Sequence, residues 1–305
     1  MVHRVASPSA PDPEEVSSAL RHRLAGRFPG EEADAEAPAR ISGGLDFWVY
    51  GLHFAGSGLP EQWRPPLVAR ISPRPRRFPL LERASRLQTW VAAHGYPAPP
   101  VLDLVPPREL LEFPIQVIER APGTTMVQAM TAAPQRMLRL ADQLGPCHAA
   151  LHRLPVPEWA GEWSMVGNRL RLPRRLAANG SVPGLAEAVE RTELLLPRLE
   201  DSVPVICHGD FHLGNVVFDQ GELAVIDWTG TATGDRHGDI ARTLWVFGFA
   251  AVAAPGRSQR LVLRALTPAL SRAYLSAYRR ELPADAVRLR LWMPLHFLHA
   301  LNELP

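Results

Sequence analysis

The sequence from residue 206 to residue 243 reads ICHGDFHLGNVVFDQGELAVIDWTGTATGDRHGDIART. Short apolar runs alternate with polar turns in this stretch, which predicts one strand before a polar loop and a hairpin of two strands after it. Asp210 and Asn215 lie at the two ends of the loop, and Asp227 follows the second strand of the hairpin. The pattern therefore predicts that three polar side chains are delivered at strand ends.

These three side chains suit the transfer of a phosphoryl group to a hydroxyl group. That reaction needs a carboxylate to accept the hydroxyl proton and oxygen ligands to hold Mg²⁺ against the phosphates. Asp210 supplies the carboxylate, while Asn215 and Asp227 supply an amide oxygen and a second carboxylate, which are hard donors of the kind that Mg²⁺ prefers. Asp210 alone would be interpreted as an ordinary turn residue, and the other two residues favour the catalytic interpretation.

The same stretch resembles the signature of a known family. HGDFHLGN followed by IDW and GDRHGDIA is similar to the pattern of the aminoglycoside phosphotransferases and related small-molecule kinases, which share a two-lobed protein-kinase-like fold. The resemblance implies that Asp210 is the catalytic base and that Asn215 and Asp227 bind the metal. It also implies that His208, which we count with Asp210 as catalytic, and Asp239 brace the catalytic loop. The cofactor implied is Mg²⁺, with ATP or GTP as co-substrate.

The resemblance also implies positions that bind the nucleotide. Gly43 and Gly44 are similar to the short loop that covers the nucleotide, although a pair of glycines is otherwise typical of a hairpin turn. Glu119 and Ala121 fall in the segment that links the two lobes in the family, where their backbone groups would bind the edge of the adenine.

The predicted phosphate-binding residue departs from the family pattern. Arg70 stands where the family usually has a lysine, and all 33 basic residues of the chain are arginines. Arginine keeps the positive charge, but its planar group is not equivalent to an ammonium group. Glu82 is the acid that could pair with Arg70 on the next predicted helix. Because Ala84 lies nearer the family position, Glu82 as a solvated helix residue is an equally good interpretation.

Periodicity outside the motif predicts an α+β chain with two lobes. Alternating apolar residues predict strands of an antiparallel sheet, and helical spacing follows from Leu80 to Val91. The predicted strands are 47–54, 67–71, 101–105 and 115–119. Beyond the break at Pro122 and Gly123 the pattern is mostly helical. The predicted helices there are 134–153, 184–200, 258–280 and 284–301.

These patterns predict three segments. Residues 1–37 are expected to form a partly disordered N-terminal arm, which includes a short helix from Pro13 to Leu24 that Asp12 would cap. Residues 38–120 are expected to form the nucleotide-binding N-lobe. Residues 121–305 are expected to form the C-lobe, which would hold the catalytic loop and bind the acceptor.

Composition excludes several classes of protein. The absence of lysine excludes a Walker phosphate loop, a Schiff-base enzyme and a serine–lysine hydrolase. The net charge is only +2 and the arginines are mixed with acids, so nucleic-acid binding is not predicted. The two cysteines lie far apart and predict neither a zinc site nor a disulfide scaffold. No leader peptide or membrane span is predicted, so we expect a cytoplasmic protein. We also expect a monomer or homodimer, and a small-molecule hydroxyl compound as the substrate.

Two other functions remain as alternatives. A protein kinase is disfavoured because the interval between Asp227 and Asp239 is too short for a long activation segment. A catalytically silent nucleotide- or ligand-binding protein with a kinase-like fold stays open because of Arg70 and Glu82. Substrate-dependent release of ADP would separate this alternative from an enzyme.

The acceptor is open between an antibiotic and an ordinary metabolite, although charge disfavours a polycation. Residues 247–305 contain three acids, Glu281, Asp285 and Glu303, against the eight arginines Arg257, Arg260, Arg264, Arg272, Arg279, Arg280, Arg288 and Arg290. Each desolvated cation of an acceptor would need an opposite charge, so an excess of arginine would repel a polycationic aminoglycoside. An apolar acceptor wall could come from Trp159, Trp163, Trp245, Trp292 and Phe297, although most such residues belong to cores.

Overall fold

The computed structural model describes residues 8–28, 34–35, 38–41, 46–56, 59–161, 163–180, 182–200, 202–253 and 256–302. The chain divides into two compact units, residues 1–122 and residues 123–305. Gly43 and Gly44, which we predicted to cover the nucleotide, lie outside the described residues. No helix in the described ranges is both long enough and apolar enough to cross a bilayer.

The first unit is built on an antiparallel sheet. Its strands are β1 Asp34–Ala35, β2 Ala39–Ile41, β3 Trp48–Leu52, β4 Phe54–Ala55, β5 Leu67–Ile71, β6 Val101–Val105 and β7 Ile115–Glu119. Its helices are α1 Pro13–Arg27 and α2 Phe78–Ala93. Five strands form one sheet in the order β2-β3-β5-β7-β6, and each neighbouring pair is antiparallel. Strand β5 therefore lies at the centre of the sheet, where it carries Arg70.

Helix α1 belongs to the core of the first unit. The side chain of Asp12 caps it by accepting a hydrogen bond of 2.9 Å from the amide of Glu14, as the sequence predicts. Val16, Leu20 and Leu24 are buried in the same apolar cluster as the central strands. Burial of each such side chain contributes roughly 1.5–3 kcal/mol, so this part of the predicted arm packs as a core element.

The second unit is mainly helical. Its helices are α3 Met126–Ala132, α4 Met137–Arg153, α5 Met165–Ala178, α6 Leu185–Glu193, α7 Leu196–Glu200, α8 Arg236–Ala253, α9 Arg257–Glu281 and α10 Ala286–His299. Its strands are β8 Thr124–Thr125, β9 Val205–Cys207, β10 Val216–Asp219, β11 Glu222–Val225 and β12 Ala232–Gly234. Strand β10 pairs with β11 and β8, and β9 pairs with β12, all of them antiparallel. The predicted α+β class, with a β-rich first part and a helical second part, is confirmed.

The structure corrects two details of the predicted helices. The helix predicted over 184–200 is two helices, because the chain turns at Leu194 and Leu195. Helices α3, α5 and α8 were not predicted as such. Helix α5 contains Pro173, which interrupts a helical pattern in the sequence.

Helices α4 and α9 pack closely at Gly145. A Cβ atom at this position would lie 2.5 Å from the backbone nitrogen of Tyr278, so a larger residue would force the helices apart. The close contact brings Tyr274 and Tyr278 of α9 to the buried face of α4. Their hydroxyl groups lie 2.7 Å from Nδ1 of His148 and of His152, respectively.

Candidate active site

The loop between β9 and β10 carries the predicted catalytic residue. Gly209 adopts a φ of +80°, and a Cβ atom there would lie 2.0 Å from the carbonyl oxygen of Gly230. Only glycine fits this conformation and this contact. The loop is thereby held against the segment that follows β11, with Asp210 as its next residue.

Asp239 on α8 holds the same loop through its backbone. One carboxylate oxygen accepts from the amide of His208 at 2.6 Å, and the other accepts from the amide of Gly209 at 2.8 Å. Nε2 of His148 and of His152 also lie 3.1 and 3.4 Å from Asp239 Oδ2. Burial raises the pKa of Asp239, but the two histidines lower it more, so the pKa lies well below its ordinary value. Asp239 is therefore a buried, ionised anchor for the loop.

Asp210 lies in a set of donors that keep its carboxyl group ionised. Oδ1 accepts from Nε and Nη2 of Arg242 at 3.1 and 2.9 Å, and Oδ2 lies 3.2 Å from Nε2 of His212. Burial raises the pKa of Asp210, but the hydrogen bond from His212 and the charges around it lower the pKa well below its ordinary value. The side chain is 33% exposed, so the ionised carboxylate is accessible to a reactant.

Arg242 is a site residue that the sequence analysis missed. It lies three residues after Asp239 on α8, and residues at this spacing share one face of a helix. That spacing within GDIART was the signal that could have placed a cation beside the catalytic loop. Arg242 also lies over the ring of Trp245, with 4.7 Å between its guanidinium carbon and the ring centroid.

Arg169 on α5 is a second buried arginine that was not predicted. Its Nη2 donates to the carbonyl oxygen of Gly209 at 2.8 Å, one peptide group further along the loop than the amides that Asp239 holds. Burial, with the nearby charge of Arg242, lowers the pKa of Arg169 to about 10. The group is still charged at neutral pH, so it fixes the loop from a second helix.

His208 occupies a buried position behind the loop. Its Nε2 donates to the carbonyl oxygen of Ile226 at 3.0 Å, and its ring packs against Phe211 and Trp228. Burial lowers the pKa of His208, so the ring is neutral at neutral pH. Because the ring is fully buried, the geometry favours a bracing role that ties the loop to the strand end before Asp227.

Asn215 and Asp227 lie at the same end of the β10–β11 hairpin. The backbone oxygen of Asn215 accepts a hydrogen bond of 2.9 Å from the amide of Ile226. Asp227 is the next residue, so this bond holds it close to Asn215. Nδ2 of Asn215 donates to the carbonyl oxygen of Asp210 at 3.0 Å. The reverse orientation of the amide would set two oxygens against each other, so Oδ1 is the atom of Asn215 that is left for a cation.

Asp227 has a backbone conformation that is uncommon for a residue other than glycine. Its φ is +61°, in the left-handed region, and its Oδ1 accepts from the hydroxyl of Thr229 at 2.6 Å. Such a conformation costs on the order of 1 kcal/mol and is concentrated at functional sites. With the amide oxygen of Asn215, this carboxylate makes a donor set that fits Mg²⁺.

In the first unit, Arg70 is held by a neutral amide network. Its Nη1 donates to Oε1 of Gln116 at 3.0 Å, and Nε2 of Gln116 donates to Oγ of Ser85 at 2.9 Å. Both Ser85 and Gln88, which also contacts Gln116, lie on the buried face of α2. Glu82 lies exposed on the same helix, so its pairing with Arg70 stays a prediction. Gln116 was missed because the sequence does not show that it lies opposite Arg70 on the neighbouring strand.

The predicted linker positions lie at the end of the first unit. Glu119 is the last residue of β7, and its amide donates to the carbonyl oxygen of Pro100 at 3.1 Å. The amide of Glu119 is therefore already bonded, which leaves its carbonyl oxygen as the candidate group. Ala121 follows as a half-buried residue.

Only some of the aromatic residues named for an acceptor wall lie together. Trp245 makes an edge contact with Phe297, with centroids 6.5 Å apart, and Trp159 makes one with Trp163 at 5.2 Å. Trp292 is 1% exposed and belongs to the core.

Comparisons with known proteins identify relatives of this chain. The sequence profile described as "Phosphotransferase enzyme family", APH, matches residues 39–289. An aminoglycoside 3'-phosphotransferase of Streptomyces fradiae is 31% identical over 210 residues, which is 64% of this chain and 74% of that protein.

Solved structures show the same fold at lower identity. A thermostable mutant of aminoglycoside phosphotransferase APH(4)-Ia, in ternary complex with ADP and hygromycin B, is 18% identical with a TM-score of 0.61 over 93% of this chain and 90% of that one. An amicoumacin kinase in complex with AMP-PNP, Ca²⁺ and Ami is 16% identical with a TM-score of 0.61 over 96% of this chain and 89% of that one.

The fold and these relatives together define a protein-kinase-like enzyme that acts on small molecules. The chain belongs to the phosphotransferase enzyme family of aminoglycoside phosphotransferases and related kinases.

Proposed function

We propose that this chain transfers the γ-phosphoryl group of ATP or GTP to a hydroxyl group of a small molecule, with Asp210 as the general base. The observation that supports this most is the state of Asp210, an accessible carboxylate that its neighbours keep ionised. A base must be ionised before it can accept the hydroxyl proton. The acceptor oxygen would then attack the phosphorus atom while the nucleoside diphosphate leaves with the bridging oxygen.

The nucleotide is proposed from the family and from the residues of the first unit. The two structural relatives above hold ADP or AMP-PNP. Arg70, which is buried in the sheet and donates to Gln116, would bind the phosphates. Backbone groups of Glu119 and Ala121 would bind the adenine edge, and Gly43 and Gly44 would cover the phosphates.

Asn215 and Asp227 would hold Mg²⁺. When bound, the ion would neutralise charge on the phosphates. The residues of the chain fix its ligands, because Asn215 is oriented by Asp210 and Asp227 by its hydrogen bond from Thr229. His208 and Asp239 would position the loop without touching the reactants. Asp239 would do so through the backbone amides of His208 and Gly209, and His208 through the carbonyl oxygen of Ile226.

A silent nucleotide- or ligand-binding protein is the second candidate function. It is favoured by Arg70 in place of lysine and by the exposed position of Glu82. A binder has no physical need for an ionised, accessible Asp210 beside a set of metal ligands, so an enzyme explains more of the site. We also propose that the protein acts in the cytoplasm as a monomer or homodimer.

Formation of ADP in the presence of single hydroxyl compounds would test the proposal. The assay would contain Mg²⁺ with ATP or GTP, and the panel would include aminoglycosides, macrolides, nucleosides, sugars and amino alcohols. Release of ADP that depends on one class of acceptor, and stops when EDTA removes the metal, is the expected result. Tight nucleotide binding without acceptor-dependent release across the panel would favour the silent binder.

A further inference from the structure

A continuous series of contacts leads away from Asp210 along helix α8. Arg242 pairs with Asp210 at 2.9 Å and lies over the ring of Trp245 at 4.7 Å. The ring of Trp245 stacks on Phe249 with 4.7 Å between centroids, and it contacts Phe297 of α10 edge-on at 6.5 Å. The three residues of α8 recur at a spacing that places them on one face of the helix. An aromatic surface therefore begins next to the catalytic carboxylate.

The outer rings of this surface are open to solvent. Phe249 is 40% exposed and Phe297 is 63% exposed, whereas Trp245 between them is 5% exposed. Among the residues that the structure describes, Phe249 and Phe297 are the only exposed phenylalanine, tyrosine or tryptophan side chains. Scattered exposed apolar residues are normal on a protein, but two rings that flank one tryptophan beside a reactive carboxylate indicate a binding surface.

A cavity of about 520 Å³ continues from Phe297 between helices α6 and α10. This volume lies within the range of roughly 300–1,000 Å³ that is typical of small-molecule pockets. Its apolar lining includes Ala188, Leu195, Pro294 and Leu298. Its two charged residues, Glu187 and Arg191, form an ion pair of 2.6 Å with each other, so the described lining has no net charge.

The two described carboxylates of residues 247–305 are already engaged. Glu281 pairs with Arg153 at 2.9 Å, and the carboxylate of Asp285 caps α10 by accepting from the amide of Arg288 at 2.7 Å. Glu303 lies outside the described residues. In the described part of residues 247–305, therefore, no cluster of acids offsets the excess of arginine. A polycation would find no set of carboxylates there to replace its water.

We infer that the acceptor is an uncharged or weakly charged hydroxyl compound with an apolar body. Its hydroxyl group meets Asp210, and its body lies across Phe249 and Phe297 and enters the α6–α10 cavity. This inference rests on the proposed phosphotransferase activity for the position of the hydroxyl group. The apolar surface and the neutral cavity, which specify the body of the ligand, are observed independently of that activity.

Equilibrium binding to the full chain tests the inference without turnover. The probes are 2-naphthaleneethanol, a neutral apolar alcohol, and kanamycin A, a polycation. The variants are Phe249→Ala and Phe297→Ala, with Leu261→Ala of α9 as the matched control because its side chain is also exposed. We expect the wild type to bind the naphthyl alcohol more tightly than kanamycin. Each phenylalanine variant should weaken the naphthyl alcohol by about tenfold, the effect of losing one aromatic contact, while Leu261→Ala leaves it unchanged.

Two results would overturn the inference: tighter binding of kanamycin than of the naphthyl alcohol, or unchanged binding of the naphthyl alcohol in both phenylalanine variants. The ADP assay on the same proteins separates this inference from the proposed function. If binding behaves as expected and no acceptor in the panel releases ADP, the phosphotransferase activity fails and the apolar ligand site stands. If an acceptor does release ADP, Phe297→Ala should raise its KM and leave kcat nearly unchanged.

Discussion

The guanidinium group of Arg242 donates two hydrogen bonds, of 3.1 and 2.9 Å, to one carboxylate oxygen of Asp210. Arg242 is nearly buried and Asp210 is partly exposed, so the ion pair faces the solvent through the aspartate. Together with the hydrogen bond from His212, the pair keeps the pKa of the proposed base low, and it also joins the loop to the aromatic face of α8. One contact thus connects the reacting group with the surface that is proposed to bind the acceptor.

Replacement of Arg242 by methionine should change the pH dependence of the reaction. Asp210 acts as a base only above its pKa, and its pKa is held low in the wild type. Removal of an adjacent opposite charge typically raises the pKa of a carboxyl group by about 1–3 units. The acidic limb of the kcat/KM profile should therefore move to higher pH by a similar amount. Arg290→Met, at an exposed position of α10, is the control. Identical profiles for all three proteins would show that Arg242 does not set the state of the base.

Arg70→Ala should weaken both ATP binding and phosphoryl transfer. A hydrogen bond to a charged group contributes about 1.5–3 kcal/mol, which corresponds to a loss of roughly 10- to 150-fold. Gln116→Leu should have a smaller effect of the same kind, because it removes the 3.0 Å hydrogen bond that orients the arginine. In the double variant the two effects should not add, since both act through one side chain. Additive losses would separate Gln116 from Arg70, and unchanged affinity in Arg70→Ala would place the phosphates elsewhere.

The stability of the protein should decline when the pH falls from about 6.5 to about 4. Burial lowers the pKa of His148 from 6.5 to about 4, so the folded chain takes up this proton later than the unfolded chain does. The resulting stabilisation is complete above pH 6.5 and is lost as the pH falls towards 4. In that window His148 should contribute a slope of about 1.4 kcal/mol per pH unit to the free energy of unfolding.

Urea denaturation of the full chain at several pH values would measure this slope. His148→Gln should be less stable than the wild type at pH 7, because it disturbs the contacts with Tyr274 and Asp239, but its stability should depend less on pH. His94→Gln is the control, since His94 is exposed. A slope in His148→Gln equal to that of the wild type would rule out His148 as the titrating group.

Local sequence patterns determine much of this fold. Strands β5, β6 and β7 have the bounds that the alternation of apolar residues predicts, because each is a short apolar run between turn residues. Helix α5 escaped prediction because a proline and several arginines obscure its apolar periodicity. Helix α1 was predicted as a helix, but its place in the core depends on contacts with distant strands that no local pattern shows.

The candidate site shows the same division. Asp210, Asn215 and Asp227 could be named as candidates because one short motif contains all three. The partners of Asp210 and of Arg70 are distant in sequence. Arg242 follows Asp210 by 32 positions, and Gln116 follows Arg70 by 46. Such contacts result from the packing of whole elements, so residue type and spacing alone did not single them out. Gly43 and Gly44 lie outside the described residues, so the structure gives no partners for them.

The measurement that tests the central claim most directly is the rate of phosphoryl transfer by Asp210→Asn under single-turnover conditions. Asparagine keeps the shape of the side chain but cannot accept the hydroxyl proton, and a general base typically contributes about 10²–10⁴ to the rate. We expect a loss in that range, with nearly unchanged nucleotide affinity. Asp142→Asn, at an exposed position of α4, should retain the wild-type rate. A wild-type rate in Asp210→Asn would contradict the assignment of Asp210 as the catalytic base.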